Sequence, residues 1–156
     1  MKAIALTLAA GLLAATATSA SAGTCPADQM RADARTAGET MPAKVTDTEL
    51  AFVALGGEIN GLDNRRLRLR RLVVQPGGVV PWHSHTDRPA LIMTVSGQIT
   101  EYNSTCAVGI EHKAGDVAQE KKGVSHWWKN NGKVPAVLIA ADIKNDAETT
   151  AAADHM

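Results

Sequence analysis

The chain has few aromatic residues and no excess charge of either sign. Its 156 residues include one Phe, one Tyr and three Trp, and 16 Lys and Arg balance 16 Asp and Glu. A near-neutral protein has no general field that attracts nucleic acid or anionic membranes. No aromatic side chain is interleaved with the five arginines between positions 65 and 71, so we predict no nucleic-acid partner. These arginines alternate with Leu67 and Leu69, which predicts one strand with a solvated basic face.

Long apolar runs are also lacking, apart from one at the N-terminus. Lys2 precedes an apolar or small-residue run over 3–15, and Ala20-Ser21-Ala22 follows it. This order is typical of a secretory signal peptide, with cleavage after Ala22. The run is shorter than the about 20 residues that span a membrane. We therefore expect no membrane span in the mature chain and a location in the periplasm or outside the cell; an uncleaved anchor is the alternative.

Cysteine is almost absent, with only Cys25 and Cys106. An exported chain enters an oxidising compartment, where an even number of cysteines predicts a disulfide. The bond would close a loop of about 80 residues and contribute about 4 kcal/mol in the chain-entropy model. Two unpaired thiols, or a lipid-anchored Cys25, are the alternatives, and we expect the disulfide.

From Val45 onward, short apolar runs alternate with turn residues. Strands are predicted at 49–55, 66–75, 79–84, 90–95, 98–103, 116–120, 124–129 and 134–143. Many short strands without a long helix predict an all-β sandwich or barrel. The expected organisation is a signal peptide over 1–22, an irregular N-terminal arm over 23–44, a barrel over 45–145 and a flexible tail over 146–156.

Three histidines are candidate metal ligands. His83 and His85 are separated by one residue, so their side chains project from the same face of a strand. His126 lies on a later predicted strand. Neutral imidazole is the commonest metal ligand, and three imidazoles leave positions open for water or substrate. Two histidines on an exposed strand face explain the pair equally simply, and His112 and His155 are predicted to be unrelated to the site.

The segments around these histidines resemble the two motifs of the cupin superfamily. The first covers 77–97 and contains His83 and His85, and the second covers 115–130 around His126. The resemblance implies a double-stranded β-helix (jelly-roll) barrel in which the histidines hold a divalent transition metal. Cupin barrels frequently dimerise, so the resemblance also implies a homodimer.

The chain departs from the cupin pattern at one metal ligand. Ala90 stands seven residues before Gly97, where the family has a metal-binding glutamate. Asp87, Glu101 and Glu120 are the nearby acids that could replace it, and each taken singly is interpreted as surface or loop charge. Glu101 is the leading candidate for a fourth ligand or an acid/base group, because its strand phase can turn it inward.

Strand phase also selects candidate pocket residues. Trp128 shares the inward face with His126, whereas Trp82 and Trp127 face the other side and are predicted to pack the sheets. Counting in twos along its strand places Arg71 on the apolar face, where it would suit a carboxylate-bearing substrate. A bulge at that point is the alternative.

Three-histidine cupin sites are similar to those of thiol dioxygenases and diketone-cleaving dioxygenases, which use ferrous iron and molecular oxygen. This similarity implies an oxygenase-like enzyme acting on a small organic molecule. A non-catalytic periplasmic protein that binds a metal or small ligand is the alternative, and the missing carboxylate favours it. A barrel with a vestigial site and a purely structural role is the third alternative. Imidazole suits iron, zinc, copper, manganese and nickel, so the ligands do not select the metal.

Overall fold

The computed structural model describes residues 23–148, which form eight strands and three short 3₁₀ turns. The strands are β1 Ala43–Ala54, β2 Arg65–Ser84, β3 Ala90–Ser96, β4 Gln98–Asn103, β5 Ile110–Lys113, β6 Val117–Glu120, β7 Ser125–Lys129 and β8 Ala136–Asn145. The 3₁₀ turns are Ala27–Gln29, Leu55–Gly57 and Asp146–Glu148. The predicted signal peptide over 1–22 and the tail residues from 149 on, including His155, lie outside the described residues. Within 23–148, no helix has the length and apolar character that crossing a bilayer requires.

The strands form a nearly closed antiparallel barrel, which confirms the predicted all-β, jelly-roll class. Their order is β5-β4-β7-β2-β8-β3-β6, and β1 pairs with β2 in addition. The interior is filled by apolar side chains from several strands, including Leu72, Val80, Ile99, Trp128 and Leu138. Burying these side chains stabilises the barrel and keeps water out of the interior in which the histidines lie.

A single long strand, β2, replaces two of the predicted strands. Residues 65–74 pair with β8, and residues 79–84 pair with β7. Between them Gly77 has a φ of +73°, and a Cβ on Gly78 would lie 2.8 Å from the carbonyl oxygens of Gln75 and Lys44. The glycines therefore bend the strand instead of ending it, because only glycine fits this backbone. The bend carries β2 from β8 to β7 and delivers the histidine pair beside β7.

The alternation in β2 is correctly predicted, but its two faces are inverted. Arg68 and Arg70 are buried, whereas Leu67, Leu69 and Arg71 are exposed. The register with β8 is continuous over 65–74, so no bulge intervenes. The predicted solvated basic face is wrong, and so is the inward placement of Arg71.

Acidic residues on the neighbouring strands explain why arginines lie inside. Asp142 of β8 accepts two hydrogen bonds from Arg68, at 3.0 Å from Nε and 2.9 Å from Nη2. Asp47 of β1 pairs with Arg70. A buried guanidinium is tolerated when it is paired in this bidentate way. The partners come from distant parts of the chain, so the local pattern of β2 does not reveal them.

The N-terminal arm is attached to the barrel by a disulfide between Cys25 and Cys106, as predicted. Arg35 of the arm also donates a 2.9 Å hydrogen bond to the Ala107 carbonyl, and the Gly23 amide donates to Glu111 at 2.8 Å. The arm therefore lies along the connection between β4 and β5. The two cysteines are 81 positions apart in the sequence, so in the unfolded chain the disulfide closes a loop that contains most of the barrel residues.

We predict that the double substitution Cys25→Ser/Cys106→Ser lowers the free energy of unfolding by about 2–5 kcal/mol, because the unfolded chain regains its loop entropy. Urea unfolding under non-reducing conditions measures the difference from wild type. An unchanged unfolding midpoint and slope in the double variant would show that the disulfide does not constrain the unfolded ensemble.

Candidate metal centre

The two chain segments of the site meet where β2 pairs with β7. His83 of β2 lies opposite His126 of β7, and His85 follows directly after β2, held by a 2.8 Å hydrogen bond from its amide to the Val124 carbonyl. His85 and His126 are buried, and His83 is partly exposed. The three Nε2 atoms form a nearly equilateral triangle with sides of 3.0, 3.0 and 3.1 Å. The structure thus brings together all three histidines that the sequence selected.

Each ring is fixed from behind by a hydrogen bond at Nδ1. Nδ1 of His83 lies 2.8 Å from the Pro81 carbonyl, and Nδ1 of His85 lies 2.6 Å from the Arg88 carbonyl. Nδ1 of His126 lies 2.9 Å from Oε1 of Glu101. Carbonyl and carboxylate oxygens only accept hydrogen bonds, so each Nδ1 is the donor and each Nε2 presents its lone pair. Three lone pairs held this close together repel one another, and a proton or a metal ion between them relieves the repulsion.

The protonation of the three rings differs. Burial, and then repulsion from His126, lowers the pKa of His83 well below its ordinary value and that of His85 to about 3. Burial also opposes a charge on His126, but its contacts with Glu101 and then Glu120 outweigh burial and raise its pKa to about 9. Without a metal, one proton therefore resides on His126, beside two neutral rings whose lone pairs are available.

Glu101 lies inward, as its strand phase predicted, but it stands behind His126. Its Oε1 accepts from His126 Nδ1 and from Asn103 Nδ2, the latter at 2.6 Å, and its Oε2 accepts from His112 Nε2 at 2.9 Å. Burial disfavours its charge, but the hydrogen bonds from His112 and His126 hold the pKa of Glu101 well below its ordinary range. The carboxylate contacts Nδ1, and not the Nε2 side on which a fourth ligand would lie.

Two residues of this network were wrongly predicted from the sequence. His112 was expected to be unrelated to the site, but it is buried and donates to Glu101. Glu120 was interpreted as surface charge, but it is buried with Oε1 3.4 Å from His126 Nδ1. Period-two alternation would have placed both inward, since Ile110 and Ala118, two residues earlier, are buried. Asp87, in contrast, is partly exposed and pairs with Arg65 at 2.7 Å.

A small cavity of about 20 Å³ adjoins the open side of the histidine cluster. It is lined by His83 and His85, by Arg70 and by apolar residues that include Ala90 and Trp128. The volume is about that of one water molecule. Trp128 lines the cavity as its strand phase predicted, whereas the arginine at the wall is Arg70 and not Arg71. Ala90, which stands in place of the expected glutamate, leaves an apolar surface beside the rings.

Comparison with known proteins agrees with the fold. The family model for the cupin domain matches residues 70–142. Germin-like protein subfamily 2 member 1 of Arabidopsis thaliana is 36% identical over 86 residues, which cover 53% of this chain and 39% of that protein. Subfamily 2 member 2 of the same plant is 31% identical over 112 residues, covering 67% of this chain and 50% of that protein.

The chain thus spans half or less of the length of these two relatives. Among solved structures, a predicted oxalate decarboxylase from Thermotoga maritima superposes with a TM-score of 0.52 at 22% identity, covering 64% of this chain and 79% of that one. Oxalate oxidase in complex with glycolate gives a TM-score of 0.50 at 18% identity, with 70% and 59% covered. These likenesses show a shared fold.

We predict that the metal-free protein is most stable near pH 6.5. Below pH 6.5, the ordinary histidine pKa, the unfolded chain binds protons that His83 and His85 in the folded chain do not bind. The free energy of unfolding therefore decreases as the pH is lowered. The contribution of Glu101 is lost in the same direction, below its ordinary pKa of 4.5. The contribution of His126 is complete below 6.5 and is lost as pH rises through about 9. Urea unfolding of chelator-treated protein across this range measures the profile, and stability still rising toward pH 9 would contradict it.

Proposed function

Since residues 70–142 of this chain are a cupin domain, we propose that the protein holds one divalent transition metal ion on His83, His85 and His126. The observation that carries the proposal is the triangle of Nε2 lone pairs, all fixed by hydrogen bonds at Nδ1. Iron, zinc, copper, manganese and nickel all accept imidazole ligands.

The spacing of the nitrogens fits such an ion. An ion about 2.0–2.1 Å from each Nε2 sets two nitrogens about 2.9 Å apart at a right angle and about 3.4 Å apart at the tetrahedral angle. The observed sides of 3.0 to 3.1 Å are near the right-angle value. Three ligands on one face of the ion leave the opposite positions for water or substrate.

We propose that the protein is a metal-dependent, oxygenase-like enzyme that acts on a small organic molecule. The bound ion would supply Lewis-acid or redox chemistry at the open positions. The chain itself supplies fixed rings, an apolar wall at Ala90 and Trp128 that excludes water, and a guanidinium at Arg70. The germin-like relatives and the oxalate oxidase fold are consistent with a metal-binding protein of this kind.

A non-catalytic protein that binds a metal or small ligand is the second candidate. The described cavity lining contains no carboxylate, and its titratable or charged groups are His83, His85 and Arg70. An arginine does not act as a general acid or base at neutral pH. This favours binding without turnover, and the two candidates require the same metal site.

We further propose that the protein is exported. The disulfide between Cys25 and Cys106 is typical of oxidising compartments. The signal peptide expected over 1–22, with cleavage after Ala22, would direct the chain to the periplasm or outside the cell.

The decisive functional test is oxygen uptake by protein loaded with one ferrous ion, in the presence of thiols, diketones and phenols. We expect one ion per chain in wild type and in an Asp87→Asn control, and loss of the ion and of oxygen uptake in His85→Ala. Metal analysis and an oxygen electrode measure the two quantities, and thermal melting verifies that each variant is folded.

The possible results separate the candidates. Oxygen uptake that depends on His85 and on one substrate class supports the enzyme. One tightly bound ion without uptake for any compound supports the binding protein and contradicts the enzyme. Failure of wild type to bind an ion, or unchanged binding in His85→Ala, contradicts the metal site itself.

A homodimer is part of the proposal, and the outer face of the barrel supports it. Large apolar side chains on β1 and β2, and on β3 and β6 beyond β8, are 38–55% exposed; they are Val53, Leu67, Leu69, Leu91, Met93 and Val117. Ala141 of β8 connects Leu69 to Leu91 across the sheet. Monomers rarely expose an apolar patch of this extent. Two copies would cover this patch through one isologous contact. Within residues 23–148, β1 pairs only with β2, so the other edge of β1 is also available for a contact between two copies.

We predict that wild type sediments as a dimer at micromolar concentration and that Leu91→Lys sediments as a monomer. Val134→Lys, which changes an equally exposed side chain in the loop between β7 and β8, serves as the control and should remain dimeric. Sedimentation velocity measures the state, and a monomeric wild type would contradict the proposal.

A further inference from the structure

A metal ion on three neutral histidines carries an uncompensated charge of +2 into the barrel. The position at which the cupin pattern has a carboxylate ligand is Ala90, which is buried and apolar. A buried charge without an opposite charge nearby is strongly disfavoured. The structure must therefore provide negative charge near the site in another way, or bind the ion weakly.

Two buried carboxylates lie directly behind His126. Oε1 of Glu101 is 2.9 Å and Oε1 of Glu120 is 3.4 Å from its Nδ1, and both side chains are about 3% exposed or less. Within residues 23–148, the ion-pair partners of these two carboxylates are histidines, with no arginine or lysine among them. Two carboxylates, when ionised, supply the charge of −2 that would balance a divalent ion.

Both oxygens of the Glu101 carboxylate accept hydrogen bonds, whereas one oxygen of Glu120 accepts none within residues 23–148. Glu101 accepts from Asn103, His112 and His126. Oε2 of Glu120 is buried and has no hydrogen-bond partner in the part of the chain that the structure describes. Hydrogen bonding therefore explains the burial of Glu101, but the burial of Glu120 needs a further reason, because an unsatisfied carboxylate oxygen is costly.

The place of Glu120 in the sheet supplies that reason. Glu120 of β6 is the cross-strand partner of Ala90 of β3, and both residues face inward. A carboxylate is thus present on the neighbouring strand at the level of Ala90, and it lies against Nδ1 of His126 and not on the Nε2 side.

We propose that Glu120 is a positioning residue that compensates the charge of the metal ion through His126, in place of the carboxylate missing at Ala90. The inference rests on the proposed three-histidine site. The negative charge of Glu120 strengthens His126 as a ligand and offsets the ion, while Glu101 holds the ring in place.

The test uses Co²⁺ as the probe and measures its dissociation constant by chelator competition, together with its visible absorption spectrum. We expect Glu120→Gln to weaken Co²⁺ binding by about 10–100-fold, with the spectrum of the bound ion retaining its shape because the three ligands are unchanged. Glu120→Asp keeps the charge and should bind nearly as tightly as wild type. Glu111→Gln, an exposed acid on β5, is the matched control and should match wild type.

A compensating pair makes the charge argument specific. Ala90→Glu restores the carboxylate of the cupin pattern and should change the spectrum, since a new ligand contacts the ion. In the Ala90→Glu protein, Glu120→Gln should therefore weaken Co²⁺ binding much less than it does in wild type. A purely structural role for Glu120 predicts the same loss in both proteins.

The outcomes distinguish this inference from the proposed function. If wild type binds Co²⁺ and Glu120→Gln binds it equally well, the role of Glu120 is refuted and the three-histidine site stands. If wild type does not bind Co²⁺, both are refuted. If Glu120→Gln alone does not fold, the double variant is compared with Ala90→Glu: equal Co²⁺ affinity supports the proposal, and a loss of more than about tenfold overturns it.

Discussion

The site depends on three hydrogen bonds that point away from it. Each histidine donates from Nδ1 to an oxygen that cannot donate in return: Pro81 carbonyl, Arg88 carbonyl and Glu101 carboxylate. This fixes the tautomer of every ring and turns three lone pairs toward one point. Neutral imidazoles at such short separation attract a cation, and the bend of β2 beside β7 holds them there. The barrel brings two distant chain segments side by side and holds the backbone of all three histidines in place.

The barrel also holds charged side chains in its interior. Arg68 and Arg70 are paired with Asp142 and Asp47, which lie on other strands, and Arg70 also lines the cavity beside His83 and His85. On the Nδ1 side of His126 the buried charges are instead negative, because Glu101 and Glu120 lie behind this ring. Buried charges persist only where partners are close and well oriented. In the metal-free protein a proton on His126 is the partner of these carboxylates, and a metal ion would take that place.

Much of this arrangement follows from the sequence, because strand periodicity and the two cupin segments constrain it. The positions of His83 and His85, of the third histidine His126 and of the inward-facing Glu101 all obey period two. The same rule does not say which of the two faces is the inner one. In β2 the leucines were assigned inward, but long-range pairing with Asp142 turns Arg68 inward instead.

Other features were missed because their signal is short or non-local. The strand β5 has only four residues beside a glycine-containing turn, so its alternating pattern is too short to be recognised. The inward position of His112 on this strand was therefore not predicted. Glu120 is noticed only once β6 is known to pair with β3, which places it opposite Ala90. The exposed apolar face also contradicts the expectation from β2 alone, since Leu67 and Leu69 look like core residues until the register is known.

The central claim is that one metal ion lies among the three Nε2 atoms, and anomalous diffraction from crystals of the protein purified without added chelator tests it most directly. A scan across the absorption edges identifies the element. The account predicts a single peak about 2.0–2.1 Å from Nε2 of His83, His85 and His126. A peak held instead between the carboxylates of Glu101 and Glu120, or three histidines that remain without an ion at saturating metal, would contradict it.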